Sequence, residues 1–285
     1  MDRQSRPWRS VLYIPGSKER ALEKATTLQA DAIIFDLEDA VAVDEKPKAR
    51  ALLAETLASR DYGARARIVR INGLDTEWGR EDVAAFVGAK IEAILIPKVN
   101  SPEDVEAVAK LIPDVDLWAM METPLGMLNA AAIAAHPRLK GMVMGTNDLA
   151  KDLGTRFRAD RLPVMAGLGL CLLAARAYGV TIVDGVFNAF KDAEGLRAEC
   201  EQGRDMGFDG KTLIHPDQLA VANAAFAPSE AEVDLARRQI EAYEAAVAAG
   251  QGVAVVDGKI VENLHIVTAK ATLAKAAQIA ALAAG

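Results

Sequence analysis

Two acidic residues, Glu122 and Asp148, each close an apolar run. The first run, Asp116-Leu-Trp-Ala-Met-Met121, stops at Glu122-Thr-Pro. The second, Gly141-Met-Val-Met-Gly-Thr146, stops at Asn147-Asp148-Leu. Between them Leu125 to Ala135 is rich in Ala, Leu and Met, which suits a helix. The order is therefore strand, acid, helix, strand, acid. In a parallel sheet with helical crossovers, both carboxylates emerge on one rim, at the carboxyl ends of neighbouring strands. Two such carboxylates can hold a hard divalent cation through oxygen, leaving positions open for water or substrate. The plainer alternative is a pair of capping or solvent-facing acids.

The other strand ends repeat the pattern. The first offers Pro15, Gly16, Ser17 and Lys18, the second Asp36, Glu38 and Asp39, and the third Arg70 and Asn72. Lys98, Asn147, Asp184 and His215 follow on later strands. An Arg inside a rim of carboxylates suits a substrate carboxylate, or an oxygen on which charge develops. A buried salt bridge from Arg70 to Glu38 or Asp36 is the alternative. Lys18 and Lys98 are placed either to reach phosphates or to end in solvent.

The elements that must carry these residues read as eight units. The expected strands begin at Ser10, Ala32, Arg67, Ala93, Asp116, Gly141, Val180 and Lys211. Helices are expected over 18–29 (capped by Ser17), 44–58, 78–87, from Ser101, over 125–135, 160–178, 193–206 and 218–225. The strands are wholly apolar rather than alternating, as in parallel sheets covered on both faces. A closed (β/α)8 barrel (the TIM barrel, typically ~250 residues) fits best, with an open doubly wound sheet second. It is expected to occupy residues 1–226. Residues 227–285 form a C-terminal helical appendage, with helices over 229–249 and 263–284 and a Ser229/Glu232 capping box. That appendage reads either as a brace or as a lid over a neighbouring subunit's site.

Composition excludes several classes. A net charge of -7 with no basic run disfavours nucleic acid. Three scattered histidines do not make a zinc site, and Cys171 and Cys200 lack the spacing of a redox pair. No 18-residue apolar run is present, and Met1 to Arg9 lacks the apolar core of a secretory signal, so a cytoplasmic protein without a membrane partner is expected. Dinucleotide, Walker and nucleophile-elbow motifs are missing.

Several stretches together resemble a known group. They are Leu12-Tyr-Ile-Pro-Gly-Ser17, Ala30-Asp-Ala-Ile-Ile-Phe-Asp-Leu-Glu-Asp-Ala-Val41, Val69-Arg-Ile-Asn72, Ile96-Pro-Lys98 and Met121-Glu-Thr-Pro124. Gly145-Thr-Asn-Asp-Leu-Ala150, Ile214-His-Pro-Asp-Gln218 and Asp257-Gly-Lys-Ile-Val-Glu-Asn-Leu-His265 complete the set. In content and order the chain resembles the citrate lyase β-subunit-like group of magnesium-dependent CoA-ester lyases (the malyl-CoA/citramalyl-CoA lyase group of the HpcH/HpaI aldolase/citrate lyase family). The resemblance implies Mg2+, or Mn2+ in its place, on Glu122 and Asp148, and Arg70 as the substrate arginine. Glu38 and Asp39 would orient Arg70 and metal-bound water. It also implies a CoA thioester lying along Pro15, Lys18 and Lys98, with its adenine end near Ile214, His215 and Pro216. Homo-oligomeric assembly, as a trimer or hexamer, is implied too.

One departure matters. Where the group carries an Asp as acid-base residue, supplied by a neighbouring subunit, this chain has Glu262 in Gly258-Lys-Ile-Val-Glu262. One extra methylene moves the carboxylate by ~1.5 Å, and a displacement of ~1 Å can cost about a hundredfold in rate. Either the loop compensates or the reaction and substrate differ. The expectation is reversible cleavage of a malyl-CoA or citramalyl-CoA type ester to acetyl-CoA and glyoxylate or pyruvate. Arg70, Glu38 and Glu262 would be its catalytic residues, and the acyl-CoA and the 2-oxo acid its small-molecule partners. Rivals are a malyl-CoA thioesterase, a class II pyruvate aldolase, a citrate lyase β subunit acting on an acyl-carrier protein, and a non-catalytic metabolite-binding module.

Overall fold

The computed structural model describes residues 6–284 and divides them into two compact units. One spans residues 8–226, and the other holds the C-terminal residues from 227 together with the N-terminal segment before Trp8.

The larger unit is a closed barrel of eight parallel strands in sequential order. The strands are β1 (Ser10–Pro15), β2 (Ala32–Asp36), β3 (Ala66–Arg70), β4 (Ala93–Ile96), β5 (Asp116–Met121), β6 (Leu139–Met144), β7 (Thr181–Asp184) and β8 (Gly210–Leu213). Pairing of Ser10 with Lys211 through Leu12 with Leu213 closes the ring. The helices are α1 (Glu19–Ala25), α2 (Lys46–Ser59), α3 (Gly79–Ala85), α4 (Pro102–Ala109), α5 (Pro124–Leu128), α6 (Ala130–Ala134), α7 (Thr146–Asp152), α8 (Met165–Tyr178), α9 (Ala193–Met206) and α10 (Leu219–Ala225).

Strand residues alternate between two cores. Val11, Ala32, Ile34, Ala66, Ile68, Leu95, Trp118, Met120, Val143 and Val183 fill the inside. Leu12, Ile33, Phe35, Val69, Ile94 and Leu117 pack outward in the second core. Burial on both faces explains why the strands read as unbroken apolar runs. Trp118 crosses the inside and meets Trp8, ring centroids 4.8 Å apart. It fits because β6 has glycine opposite: a Cβ on Gly141 would lie 2.0 Å from the Trp118 ring.

Three local expectations are corrected, and one helix is new. Ser17 does not cap α1: Lys18 holds that position, and the Ser17 hydroxyl is buried without a hydrogen-bond partner. The helix expected over 125–135 breaks at Asn129, whose side chain donates to the carbonyl of Asn100. The helix expected from residue 160 starts at Met165, because Arg161 takes a left-handed backbone (φ 55) and a 3-10 turn follows it. The new helix is Thr146–Asp152, which follows β6 after Gly145 alone.

The smaller unit contains α11 (Glu230–Ala248), a hairpin of β9 (Ala254–Val256) and β10 (Lys259–Val261), and α12 (Asn263–Ala284). It is therefore not purely helical. Asp257 and Gly258 both have positive φ (51 and 74), which matches a tight hairpin turn. Ser229 and Glu232 form the expected capping box. Ala246, Ala254, Val261 and Ile266 make the unit's core. Among the described residues no helix is long and apolar enough to cross a membrane.

Gly141→Ala would press a methyl into the Trp118 ring. The expected loss is about 1–3 kcal/mol for such overpacking, or roughly 2–4 °C in Tm per kcal/mol, by thermal unfolding. A variant as stable as wild type would contradict this packing.

Candidate active site

Strand alternation decides which side chains meet above the inner core. Continuing the inward rows by two residues leads from Ile34 to Asp36, from Ile68 to Arg70, from Met120 to Glu122, and from Val11 to Tyr13. Asp36 and Arg70 are direct partners in the β2–β3 ladder.

Arg70 is 7% exposed and held from three sides. Its Nε and Nη2 donate to the two oxygens of Asp36 at 2.8 and 2.6 Å. Its Nη1 lies 2.7 Å from Glu38 Oε2 and 3.4 Å from Asp39 Oδ2. The contact with Glu38 is an ion pair whose angle makes no hydrogen bond, so that carboxylate oxygen stays buried without a donor. The guanidinium carbon sits 5.1 Å from the centre of the Tyr13 ring. Burial opposes the charge of Arg70, but Asp36 and its neighbours outweigh it and hold the guanidinium firmly protonated. Asp36 also accepts from the amides of Glu38 and Ala40, so the loop after β2 is folded around the same carboxylate. Burial raises the Tyr13 hydroxyl above its ordinary range, leaving a neutral donor that bonds Met120 Sδ at 3.3 Å.

Lys98 connects two acids. Its backbone is left-handed (φ 48), unusual for a residue with a side chain. That conformation aims its amide at Glu122 Oε1, 2.7 Å away, while its ammonium lies 2.5 Å from Glu38 Oε1. Burial raises the carboxyl of Glu38, against the pull of Arg70 and Lys98. Glu122 is 1% exposed. Burial pushes its carboxyl up to about 7, and the nearby charge of Glu38 adds to this while the Lys98 amide and Arg70 pull it back. Gly145 packs against it so closely that a Cβ there would lie 2.3 Å from Glu122 Cβ. Asp148 stands in the first turn of α7, 3.5 Å from the Lys151 ammonium.

Asp36, Asp39, Arg70, Glu122 and Asp148 all line one cavity of about 300 Å3, with Tyr13, Asn188 and Ile214. Four carboxylates there face one guanidinium, and that guanidinium is already paired. Among the described residues no three His, Cys, Asp or Glu side chains gather as a metal nest. A cation on Glu122 and Asp148 would therefore complete its shell with water or substrate oxygens. The donor set is all oxygen and the charge excess is negative, which fits Mg2+ or Mn2+.

Residues 9–216 match the family model described as HpcH/HpaI aldolase/citrate lyase. The chain belongs to that family. A relative 75% identical over 284 residues, covering all of both chains, is a (3S)-malyl-CoA thioesterase from Cereibacter sphaeroides. The citrate lyase β subunit of Escherichia coli is 35% identical, over 96% of this chain and 95% of its own. Among solved structures, CitE from Mycobacterium tuberculosis in complex with magnesium, acetoacetate and coenzyme A superposes with a TM-score of 0.80. It is 32% identical and covers 94% of this chain and 97% of its own. The protein is thus an enzyme of the citrate lyase/aldolase type with the barrel fold common to these relatives.

Within this family member the structure gathers Arg70, Glu38, Glu122, Asp148 and Lys98 around the strand ends. Arg70 makes the buried salt bridge that was one of its two readings, and it also lines the cavity. Other expected rim residues face elsewhere. Asn72 is buried between Lys46 and Asp82, and Asp184 is buried against Arg161 and Lys211. Ile214 lines the cavity, while His215 stacks on Phe190 at 4.6 Å and accepts from the amide of Asp217 in the turn begun by Pro216. Pro15 is half-buried and Lys18 exposed, and neither lines that cavity. Glu262 belongs to the smaller unit, where its amide donates to His265 Nδ1. Sequence reasoning missed Tyr13, whose signal was its position one alternation beyond Val11, and Asn188, for which loop sequence offers none.

The raised carboxyl of Glu122 has a sign that can be tested. In metal-free protein the folded state binds this proton more tightly than the unfolded chain. The stabilisation is full below the unfolded value of about 4.3 and is lost as pH rises through about 7. Glu122→Gln should remove that decline. Urea unfolding in chelator from pH 4.5 to 8 would show parallel wild-type and variant curves if the assignment were wrong.

Proposed function

We propose that this enzyme hydrolyses the thioester of a malyl-CoA-type substrate, a 3-carboxy-3-hydroxyacyl-CoA, in a magnesium-dependent reaction. The observation that carries the site is the pinned guanidinium of Arg70 on the same cavity as Glu122 and Asp148. The relative at 75% identity supports hydrolysis as the outcome. Cleavage, the expectation from sequence alone, is therefore the second reading.

Glu122 and Asp148 would hold the metal, which supplies positive charge to substrate oxygens as a Lewis acid. Arg70 binds the oxyanion end of the acyl group. Its position is set before substrate arrives, because Asp36, Glu38 and Asp39 hold it, so little reorganisation is needed as charge develops. Asp36 is the positioning residue for Arg70, and Lys98 ties Glu38 to the backbone beside Glu122. In hydrolysis a water oxygen adds to the thioester carbonyl, the C–S bond breaks, and the sulfur leaves as CoA thiol with a proton. Glu262 is the proposed proton carrier, supplied by a neighbouring copy in a trimer or hexamer, and the adenine end of the CoA is assigned to the side of Ile214, His215 and Pro216. A cytoplasmic location belongs to the same proposal.

The second reading is cleavage to acetyl-CoA and glyoxylate. The citrate lyase β relatives and a Mycobacterium tuberculosis citrate lyase β structure complexed with oxaloacetate and magnesium favour it. Products separate the two: malate and CoA for hydrolysis, glyoxylate and acetyl-CoA for cleavage.

With malyl-CoA and Mg2+, malate without glyoxylate is expected, and activity should vanish with chelator and return with Mg2+. Glu122→Gln and Asp148→Asn should each lower kcat/KM by at least about a hundredfold, the range seen when a transition-state charge contact is lost. Wild type is expected to gain about 2.7 kcal/mol of stability from Mg2+ at a hundred times Kd, and both variants should lose that gain. Full activity in either variant would overturn the assignment.

A further inference from the structure

A second cavity of about 450 Å3 lies beside the acidic one, and its charged lining has the opposite sign. The two share Thr146, Asn147, Val186 and Asn188. The Asn147 and Asn188 amides hydrogen-bond each other reciprocally at 3.2 and 2.9 Å, making a partition between them. On the far side the charged residues are Arg156, Arg158, Arg161 and Glu199. Three of these are ion-paired: Arg158 with Asp160, Glu199 with Lys211 at 2.6 Å, and Arg161 with Asp184.

Arg161 is not fully engaged. It is 6% exposed, its Nη1 donates to both oxygens of Asp184 at 2.7 and 2.6 Å, and its Nε donates to Gln202 at 2.7 Å. Its Nη2 is buried with no hydrogen-bond partner. A buried donor on a charged group left without an acceptor is costly. The residue is nevertheless held there in a left-handed backbone (φ 55), the conformation that ends the preceding loop. Arg156 on the same wall is exposed and forms no ion pair among the described residues. Phe157, Val164 and Phe187 give the same wall an apolar part.

We propose that this cavity is a binding site for an oxyanion, a phosphate or carboxylate group, received by Arg156 and the incompletely bonded guanidinium of Arg161. Guanidinium N–H donors match both anions in geometry and charge. The volume exceeds that of a bare oxyanion, and the apolar wall accommodates an organic body carrying it. The site does not depend on which reaction the acidic cavity performs. Its source is either a free oxyanion or a phosphate of the CoA moiety.

The test is calorimetric titration of the intact protein with inorganic phosphate and, separately, with CoA, in wild type, Arg156→Glu, Arg161→Lys and Glu122→Gln. Arg156 is at the surface, so its variant should fold even if Arg161→Lys does not. At least a tenfold weakening in Arg156→Glu, with binding kept in Glu122→Gln, is the expected result. If phosphate and CoA bind together, the ligand is a free oxyanion. If CoA displaces phosphate and Arg156→Glu raises KM for the thioester at unchanged kcat, it is the nucleotide phosphate. Binding lost in Glu122→Gln but unchanged in Arg156→Glu would put the anion in the acidic cavity and overturn the proposal. So would the absence of binding by either probe.

Discussion

The buried pair of Asp36 and Arg70 is the constraint on which this site is built. Moving a guanidinium and a carboxylate out of water costs several kcal/mol per ion, and the mutual attraction offsets it only when further hydrogen bonds satisfy both partners. Here both oxygens of Asp36 each accept twice, from Arg70 and from the backbone of the following loop. The pair therefore shapes the loop at 37–40, and that loop in turn brings Glu38 and Asp39 to the third nitrogen of the guanidinium. Removing Asp36 would leave a buried cation facing a rearranged loop. The chemistry of the cavity and the folding of this corner of the barrel are thus the same set of interactions.

Three carboxylates around one guanidinium leave an excess of negative charge, and Glu122 and Asp148 enlarge it across the cavity. Part of that excess is relieved by Glu122 holding a proton up to about pH 7. A divalent cation would relieve the remainder by displacing the proton. This is why the acids on β5 and at the start of α7 are better understood as a charge-balanced assembly with Arg70 than as two isolated ligands.

Much of this was legible in sequence, for a physical reason. Strands buried on both faces must be apolar throughout, so the first charged residue after each run marks the rim, and Asp36, Arg70, Glu122 and Asp148 stand out at once. What hid was direction. Asn72 and Asp184 occupy similar positions along their strands but turn into packing networks with Asp82 and with Arg161 and Lys211. Nothing local in the sequence distinguishes them from Arg70. For Asp184 the alternation count does, because Val183 before it faces inward, whereas Asn72 shares the parity of Arg70 and lies past the end of β3; the count also brings in Tyr13. The helix that opens at Thr146 was masked by the apolar run before it. The β9–β10 hairpin was masked by its length, since three-residue strands carry almost no periodicity, although the Asp257-Gly258 turn was visible.

The left-handed backbone of Lys98 joins two halves of the site that are far apart in sequence. One residue offers its main-chain N–H to Glu122 and its side-chain ammonium to Glu38, at opposite ends of the same short turn. A change in that turn cannot be local to either acid. An insertion after β4, harmless at most barrel loops, would here shift the donor to one carboxylate and the counter-ion of another in a single stroke. Variation in the length of this connection is therefore closed to the enzyme, while the turn's outer residues stay free to drift.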